Sequence, residues 1–497
     1  TNLTAVGAFA LKQNTASDNT AVGLSALELN TTGAEQVAVG SIALDANTTG
    51  SVNTAIGYAA LSDNTTGSSN VAVGKTALGD NTTANHNTAV GRDAMRLNTT
   101  GAENTAVGAN ALDANTTAAN NTAIGFAVLT ENTTGQDNTG VGRRSLDANT
   151  TGGFNVGVGG HSLSSNTTAS NNTAVGYNSL FANTTGTCNT ALGTSALDAN
   201  QVGGFNTAVG YNALTASNSS ENTAVGAQSL QALTSGSLNT AVGMNALRQT
   251  TTANNNTAVG DEALRENTTG EFNTAVGSGA LDANTTANNN SAFGYFALGQ
   301  NTTGTGNTAL GQSALTANTT ASNNTAVGKD CLVANTTGTR NTAVGYATLD
   351  ANTTGNTNTA VGGFALTRNT TGSNNTAVGD NALDANTTGI FNTAIGLNAL
   401  DANTSESYSV AIGSGALGNS NAEKNTAIGH NALHNISNGV RNIAIGIDAG
   451  NGQVSGNNNV YIGPDCPENN GTSNEVIIYN NSKQARFQGS DTSWSFS

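Results

Sequence analysis

The stretch Asn53-Thr54-Ala55-Ile56-Gly57 decides the fold, because close variants of it recur from one end of the chain to the other. Aligning its central residue, Ala55, gives 28 copies between Ala5 and Tyr461. Consecutive copies are 17 residues apart, except for three steps of 16 that end at Ala21, Ala224 and Ala427. A short fixed period of this kind indicates a solenoid, in which each repeat is one structural unit stacked on the next.

The composition is unlike that of an ordinary globular core. Aromatic residues make up 4% of the 497 residues and charged residues 9%, with 61 Gly and only 2 Pro. The formal net charge of −16 argues against nucleic acid as a partner, because phosphate binding needs clustered Lys and Arg. No apolar run is long enough to cross a bilayer, so membrane insertion is not expected. The three cysteines lie far apart and form no metal-binding pair.

One repeat, numbered from its central residue as position zero, is typical of a short strand. Positions −1 and +1 are mostly β-branched, as in Thr54 and Ile56, and this alternation favours a strand. It predicts that −1 and +1 face the core while zero faces outward. Gly at +2, present in all 28 copies, predicts a turn with positive φ or a close backbone approach. A second strand is expected at +5 and +6, with the Leu at +6 facing inward, and Asn64–Gly67 is expected to close the repeat as a polar turn.

These features predict an all-β parallel β-solenoid of about 28 coils of 17 residues. Parallel coils at about 4.8 Å spacing would place identical residues in ladders along a rod of roughly 130 Å. Position zero is Ala in 25 copies, and +5 is nearly as small. Because both positions are expected to face outward, they predict a flat apolar stripe and lateral self-association.

Ser409-Val410-Ala411-Ile412-Gly413 resembles the head repeat of trimeric autotransporter adhesins. The 17-residue form is similar to the shafts of phage and other virus tail fibres that carry an endosialidase-type intramolecular chaperone, and this resemblance covers residues 1–463. The resemblance to the adhesin heads implies a left-handed β-roll and a homotrimer whose three rolls pack side by side. The 17-residue coil is longer than that of the adhesin heads.

Residues 464–497 are expected to form a C-terminal cap with short β segments at 475–479 and 485–487, because the repeat pattern degenerates at Gly450, Pro464 and Pro467. In fibres of the type resembled, a similar segment precedes a chaperone that cuts itself off after a serine. The resemblance therefore implies that Ser497 is a processing end. The alternative is that Ser497 is an artificial boundary.

The sequence contains no motif for catalysis, a metal or another cofactor. Asp residues that recur at +7 are expected to lie in solvated turns, since Ser62 and Phe181 occupy the same position. A column of aromatic residues at +3 offers candidate glycan contacts, or else packs against a neighbouring coil or chain; its members are Tyr58, Phe126, Tyr177, Tyr211, Tyr295 and Tyr346.

The resulting hypothesis is a non-catalytic, trimeric tail-fibre shaft of a virion. Its expected partners are other virion tail proteins and a host surface glycan or protein. The alternative is a bacterial surface adhesin or extracellular filament, located on the cell surface. A third alternative is an ice-binding solenoid, although the adjacent Thr residues lie in turns rather than alternating along a flat strand.

Overall fold

The computed structural model describes residues 2–467, 470–489 and 495–496, the last pair by backbone alone. The chain divides between residues 252 and 253 into two compact units, a first unit and a second unit. No helix occurs in the described residues. The chain is an all-β parallel β-solenoid of about 28 turns, and this confirms the predicted fold class.

Each turn of the solenoid contributes one short strand. The strands of the first unit are β1 Leu3–Val6, β2 Asn19–Val22, β3 Val37–Val39, β4 Thr54–Ile56, β5 Val71–Val73, β6 Thr88–Val90, β7 Thr105–Val107, β8 Thr122–Ile124, β9 Thr139–Val141, β10 Val156–Val158, β11 Thr173–Val175, β12 Thr190–Leu192, β13 Thr207–Val209, β14 Thr223–Val225 and β15 Thr240–Val242. Those of the second unit are β16 Thr257–Val259, β17 Thr274–Val276, β18 Ser291–Phe293, β19 Thr308–Leu310, β20 Thr325–Val327, β21 Thr342–Val344, β22 Thr359–Val361, β23 Thr376–Val378, β24 Thr393–Ile395, β25 Val410–Ile412, β26 Thr426–Ile428, β27 Ile443–Ile445, β28 Val460–Ile462, β29 Glu475–Tyr479, β30 Gln484–Gln488 and β31 Ser495–Phe496.

The strands of each unit pair in the order in which they occur in the chain. Within each unit, neighbouring strands are parallel and join equivalent positions, as Ala55 of β4 pairs with Ala72 of β5. This pairing continues through β29, after which β30 runs antiparallel to β29 and β31 antiparallel to β30. The β29–β30 hairpin confirms the two short strands expected near the C-terminal end.

The expected second strand at +5 and +6 is wrong. Residues +3 to +8 form turns, with positive φ at the non-glycine positions +4 and +6, such as φ 51° at Ala59 and 55° at Leu61. Left-handed backbone at every second residue curves the chain and prevents an extended strand. The Leu side chain at +6 is nevertheless buried, as the sequence predicted.

The assignment of strand faces is also wrong. Ala55 at position zero is fully buried, whereas Thr54 is half-buried and Ile56 is exposed. Positions −2 and zero point into the narrow core together with +5. Position zero faces position +5 across the core, since a Cβ at Gly157 would lie 2.5 Å from Ser145 Oγ and 3.1 Å from Ser162 Oγ. Most turns therefore have small residues at both positions. The small-residue columns are therefore the interior of the solenoid, and the β-branched residues cover its surface.

Gly57 shows why position +2 is Gly in every copy. Its φ is +137°, and a Cβ atom would lie 2.4 Å from the carbonyl oxygen of Gly74 in the next turn. Both the backbone conformation and the close approach therefore exclude other residues. The prediction for this position is confirmed on both counts.

Two columns of buried asparagines run through the core, at positions −2 and +9. Asn64 Nδ2 donates to Asn47 Oδ1 of the preceding turn at 2.8 Å and to the Gly67 carbonyl at 3.0 Å. Asn53 Nδ2 donates to the same Gly67 carbonyl at 2.8 Å, and Asn53 Oδ1 accepts from the backbone N–H of Asn70 at 2.9 Å. The Asn64–Gly67 turn is therefore anchored inside the solenoid rather than being only a polar surface turn.

Two of the 16-residue turns coincide with breaks in the +9 column. In the turn that begins at Ala208, Ser217 stands at +9, and its Oγ lies 2.7 Å from Ser219 Oγ. Ser219 Oγ in turn accepts from Asn222 Nδ2 at 3.0 Å. The column then continues with other buried residues, Leu233 and Thr250. The same order returns 203 residues later with Ser420, Ile436 and Gln453.

Departures from the repeat compensate for each other across the core. Gly450 stands at +6, where nearly all other turns have Leu, and a Cβ there would lie 2.8 Å from Tyr461 Cδ2 and 3.1 Å from Leu433 Cδ2. Tyr461, at position zero of the next turn, is fully buried. The large ring therefore fills the space that a Leu side chain leaves at Gly450.

We expect Gly450→Leu to destabilise the local turns by about 1–3 kcal/mol through overpacking, and Tyr461→Ala by about 3 kcal/mol through a cavity. The double variant restores the Leu and Ala found elsewhere, and its cost should be smaller than the sum of the two. Amide hydrogen exchange of residues 433–466 measures each effect. Additive costs would contradict the compensation.

We expect Asn318→Ala to weaken protection from exchange in residues 291–340. Asn318 Nδ2 donates to Asn301 Oδ1 at 2.9 Å, and its Oδ1 accepts from Asn335 Nδ2 at 3.0 Å. Losing both partners should cost about 2 kcal/mol or more. The matched control is Gln300→Ala on the exposed surface. Equal effects of the two substitutions would contradict a structural role for the column.

Candidate interaction surface

The outer strand face presents two columns, a hydroxyl-rich column at −1 and an apolar column at +1. Position +1 is Val, Ile, Leu or Phe, and none of these side chains is buried in any turn from β1 to β28. The more exposed examples include Ile124, Leu192, Leu310 and Ile395. Monomeric soluble proteins rarely expose large contiguous apolar patches, so this face has the character of an interaction surface. It replaces the small-residue stripe that the sequence pattern indicated.

The six aromatic residues predicted as candidate glycan contacts are all exposed, at 47–57% of their full accessible surface. The structure places them in six different turns, and it does not bring them together into one site. Three have a ring neighbour at near-perpendicular geometry: His161 beside Tyr177 at 6.1 Å, Phe296 beside Tyr295 at 4.6 Å, and Phe364 beside Tyr346 at 5.3 Å. The other three, Tyr58, Phe126 and Tyr211, extend from the surface without a described ring contact.

A second aromatic column lies at −3, where Phe391 and Tyr408 stack at 5.4 Å with ring planes 10° apart. Both rings are exposed. The stacking joins consecutive turns, so the sequence signal is two aromatic residues at the same repeat position in adjacent copies. The sequence analysis singled out only the aromatic column at +3 and did not predict this pairing.

The Asp residues at +7 are half-buried. Burial raises the pKa of the Asp45, Asp198 and Asp350 carboxyls above the ordinary value of 3.8, and nearby carboxylates raise those of Asp45 and Asp350 further. The same causes act on Asp401, where the neighbouring carboxylate is Asp384.

Within the described residues, no three His, Cys, Asp or Glu side chains are grouped in a way that could hold a metal ion.

The cysteines are free thiols. Cys331 occupies position +5, is buried and lies 3.2 Å from the Gly345 carbonyl oxygen, and burial raises the pKa of its thiol. It therefore packs as a small apolar residue, like the Ala that occupies +5 in most other turns. The predicted processing end, Ser497, lies outside the described residues. In the part of the chain that is described, no helix is both long enough and apolar enough to span a bilayer.

We expect thermal stability to rise modestly as pH falls from 7 toward 4. Each Asp with a raised pKa in the folded state ionises at a cost, so its stabilising contribution is full below its unfolded value near 3.8 and is lost as pH rises through the folded value. Substituting Asp350 and Asp401 with Asn should flatten this dependence. Melting temperature against pH measures it, and a melting temperature that falls over the same range would contradict it.

Comparisons with known proteins identify no relative of this chain. No protein-family model matches it, and neither a curated protein nor a solved structure shows significant similarity.

Proposed function

We propose that this chain is the shaft of a trimeric virus tail fibre that contributes to host-cell attachment and has no catalytic role. The observation that carries the proposal is the exposed apolar column at +1, which continues through every turn of each unit. Three identical chains that pack side by side would cover this column with equivalent positions of their neighbours. A surface repeated at every turn suits self-association, because equivalent turns of neighbouring chains can then lie at the same level and contact each other.

The proposed interface consists of positions −1 and +1. Val and Ile at +1 supply apolar area, and Thr at −1 supplies short side chains that let neighbouring strands approach. The resemblance of Ser409–Gly413 to the head repeat of trimeric adhesins supports the number three. Positions zero and +5, which the sequence analysis assigned to the interface, take no part because they are buried.

The buried asparagine columns support a mechanical role. Most turns are tied to their neighbours by backbone bonds and by two side-chain amides, as at Asn53 and Asn64. Three linked chains would also present each weak surface contact in triplicate, which raises effective affinity by avidity. The proposed location is therefore the virion tail fibre, with other tail proteins and a host surface glycan or protein as partners.

We expect the mass of the particle in solution to be three times that of one chain. Replacing Ile395, Ile412 and Ile428 with Asp should shift it to that of a monomer, because the three exposed side chains lie in consecutive turns of the +1 column. Light scattering coupled to size-exclusion chromatography measures both.

The matched control replaces Thr354, Thr371 and Thr388 with Asp, which adds the same charge at the exposed position +11. It should remain trimeric. A monomeric unmodified chain would overturn the trimer, and a trimeric Ile→Asp variant would overturn the assigned interface.

A further inference from the structure

The first unit contains a surface cavity of about 310 Å³ at the turns of β9, β10 and β11. Its lining residues are Arg144, His161, Ser164, Tyr177, Asn178 and Phe181. They stand at repeat positions +3, +4 and +7, so none belongs to the proposed interface at −1 and +1. The volume is at the lower end of the range of small-ligand pockets, which corresponds to one sugar-sized group.

The cavity exists because three turns depart from the repeat together. Gly160 stands at +3 and has no side chain, and a Cβ there would lie 3.4 Å from Tyr177 Cδ2. The space beside the Tyr177 ring is therefore open on that side. Phe181 stands at +7, where nearly all other turns have a polar residue or Gly. The His161 ring lies 6.1 Å from the ring of Tyr177 and 6.3 Å from that of Phe181, so three rings border one depression.

The charge at the cavity is opposite to that of the chain. Arg143 and Arg144 are the only consecutive arginines in a sequence with a net charge of −16. Both are exposed, and no ion pair joins either to a carboxylate within the described residues. The nearby carboxylate of Asp147 accepts a hydrogen bond from Ser164 Oγ at 2.6 Å. The Arg144 guanidinium is thus open to an external anion.

We propose that this cavity binds a pyranose ring that carries a carboxylate, as part of a surface polysaccharide. The C–H face of such a ring packs against the exposed rings of Tyr177 and Phe181. Its carboxylate pairs with Arg144, whose planar guanidinium matches two carboxylate oxygens. Asn178, which lines the cavity beside Tyr177, supplies both a donor and an acceptor for hydroxyl groups.

This inference rests on the proposed attachment function for its biological use, but the binding does not require a trimer. It also separates Tyr177 from the other five aromatic residues at +3. Tyr211 is equally exposed and is likewise followed by an asparagine, but no arginine stands at +4 within two turns of it on either side, whereas Arg144 stands at +4 two turns before Tyr177. Tyr177 therefore shares its cavity with an arginine, whereas Tyr211 has no arginine in the equivalent place.

The test is saturation-transfer NMR and titration of the full chain with D-glucuronate, with D-glucose as the neutral probe. We expect saturable binding of glucuronate, and a dissociation constant at least tenfold lower than that for glucose. Arg144→Gln should raise the glucuronate constant about tenfold and leave the glucose signal unchanged. Tyr177→Ala should weaken both, whereas Tyr211→Ala, the control at the same repeat position, should change neither.

Circular dichroism and light scattering on the same samples establish that each variant retains the fold and the assembly of the unmodified chain. Equal binding of glucuronate and glucose, or unchanged glucuronate binding by Arg144→Gln, would overturn the site. A monomer that binds glucuronate at this cavity would overturn the trimeric shaft and leave the site standing. A trimer that does not bind glucuronate would overturn the site and leave the trimeric shaft standing.

Discussion

The buried asparagine columns are the interaction on which the rest of the structure depends. A buried amide without partners is costly, so each Asn at −2 and +9 fixes the position of its neighbours in the preceding and following turns. Asn53 and Asn64 both donate to the Gly67 carbonyl, so the two columns also close the turn from opposite sides. The amides therefore set the register of turn on turn, which apolar packing of Ala on Ala would leave less well specified.

This constraint also explains where the repeat can vary. Several departures at inward positions are accompanied by a compensating change at the position that faces them. Val128 at +5 is accompanied by Gly140 at the facing position zero, where a Cβ would lie 2.5 Å from Val128 Cγ1. The Tyr461 ring likewise occupies space beside Gly450. In the short turn at Ser217 and Ser219, hydroxyls replace the amide of the +9 column and keep Asn222 bonded.

Function in such a solenoid divides between what is repeated and what is not. The +1 column is apolar and accessible in every turn, and it suits an extended contact with identical neighbouring chains. The cavity near Tyr177 depends on Gly160, Arg144 and Phe181 occurring in consecutive turns, and it suits a contact with one small group. The recurring Asn-Thr-Thr sequences are also a repeated feature, but their role is structural, since the Asn64 side chain is fully buried in the core.

The sequence by itself determined the solenoid, its period, the role of Gly57 and the inward Leu side chains, because these follow from a period of 17 and from the conformational demands on single residues. It could not decide which strand face was inside, because Thr54, Ala55 and Ile56 fit either orientation as an alternating pattern. The tertiary structure decided this: the amides of Asn53 and Asn64 turn inward to satisfy the Gly67 carbonyl, and this carries Ala55 into the core and leaves Ile56 on the surface. The cavity also needed the tertiary structure, because Arg144 and Tyr177 are 33 residues apart in sequence and meet only when the turns stack.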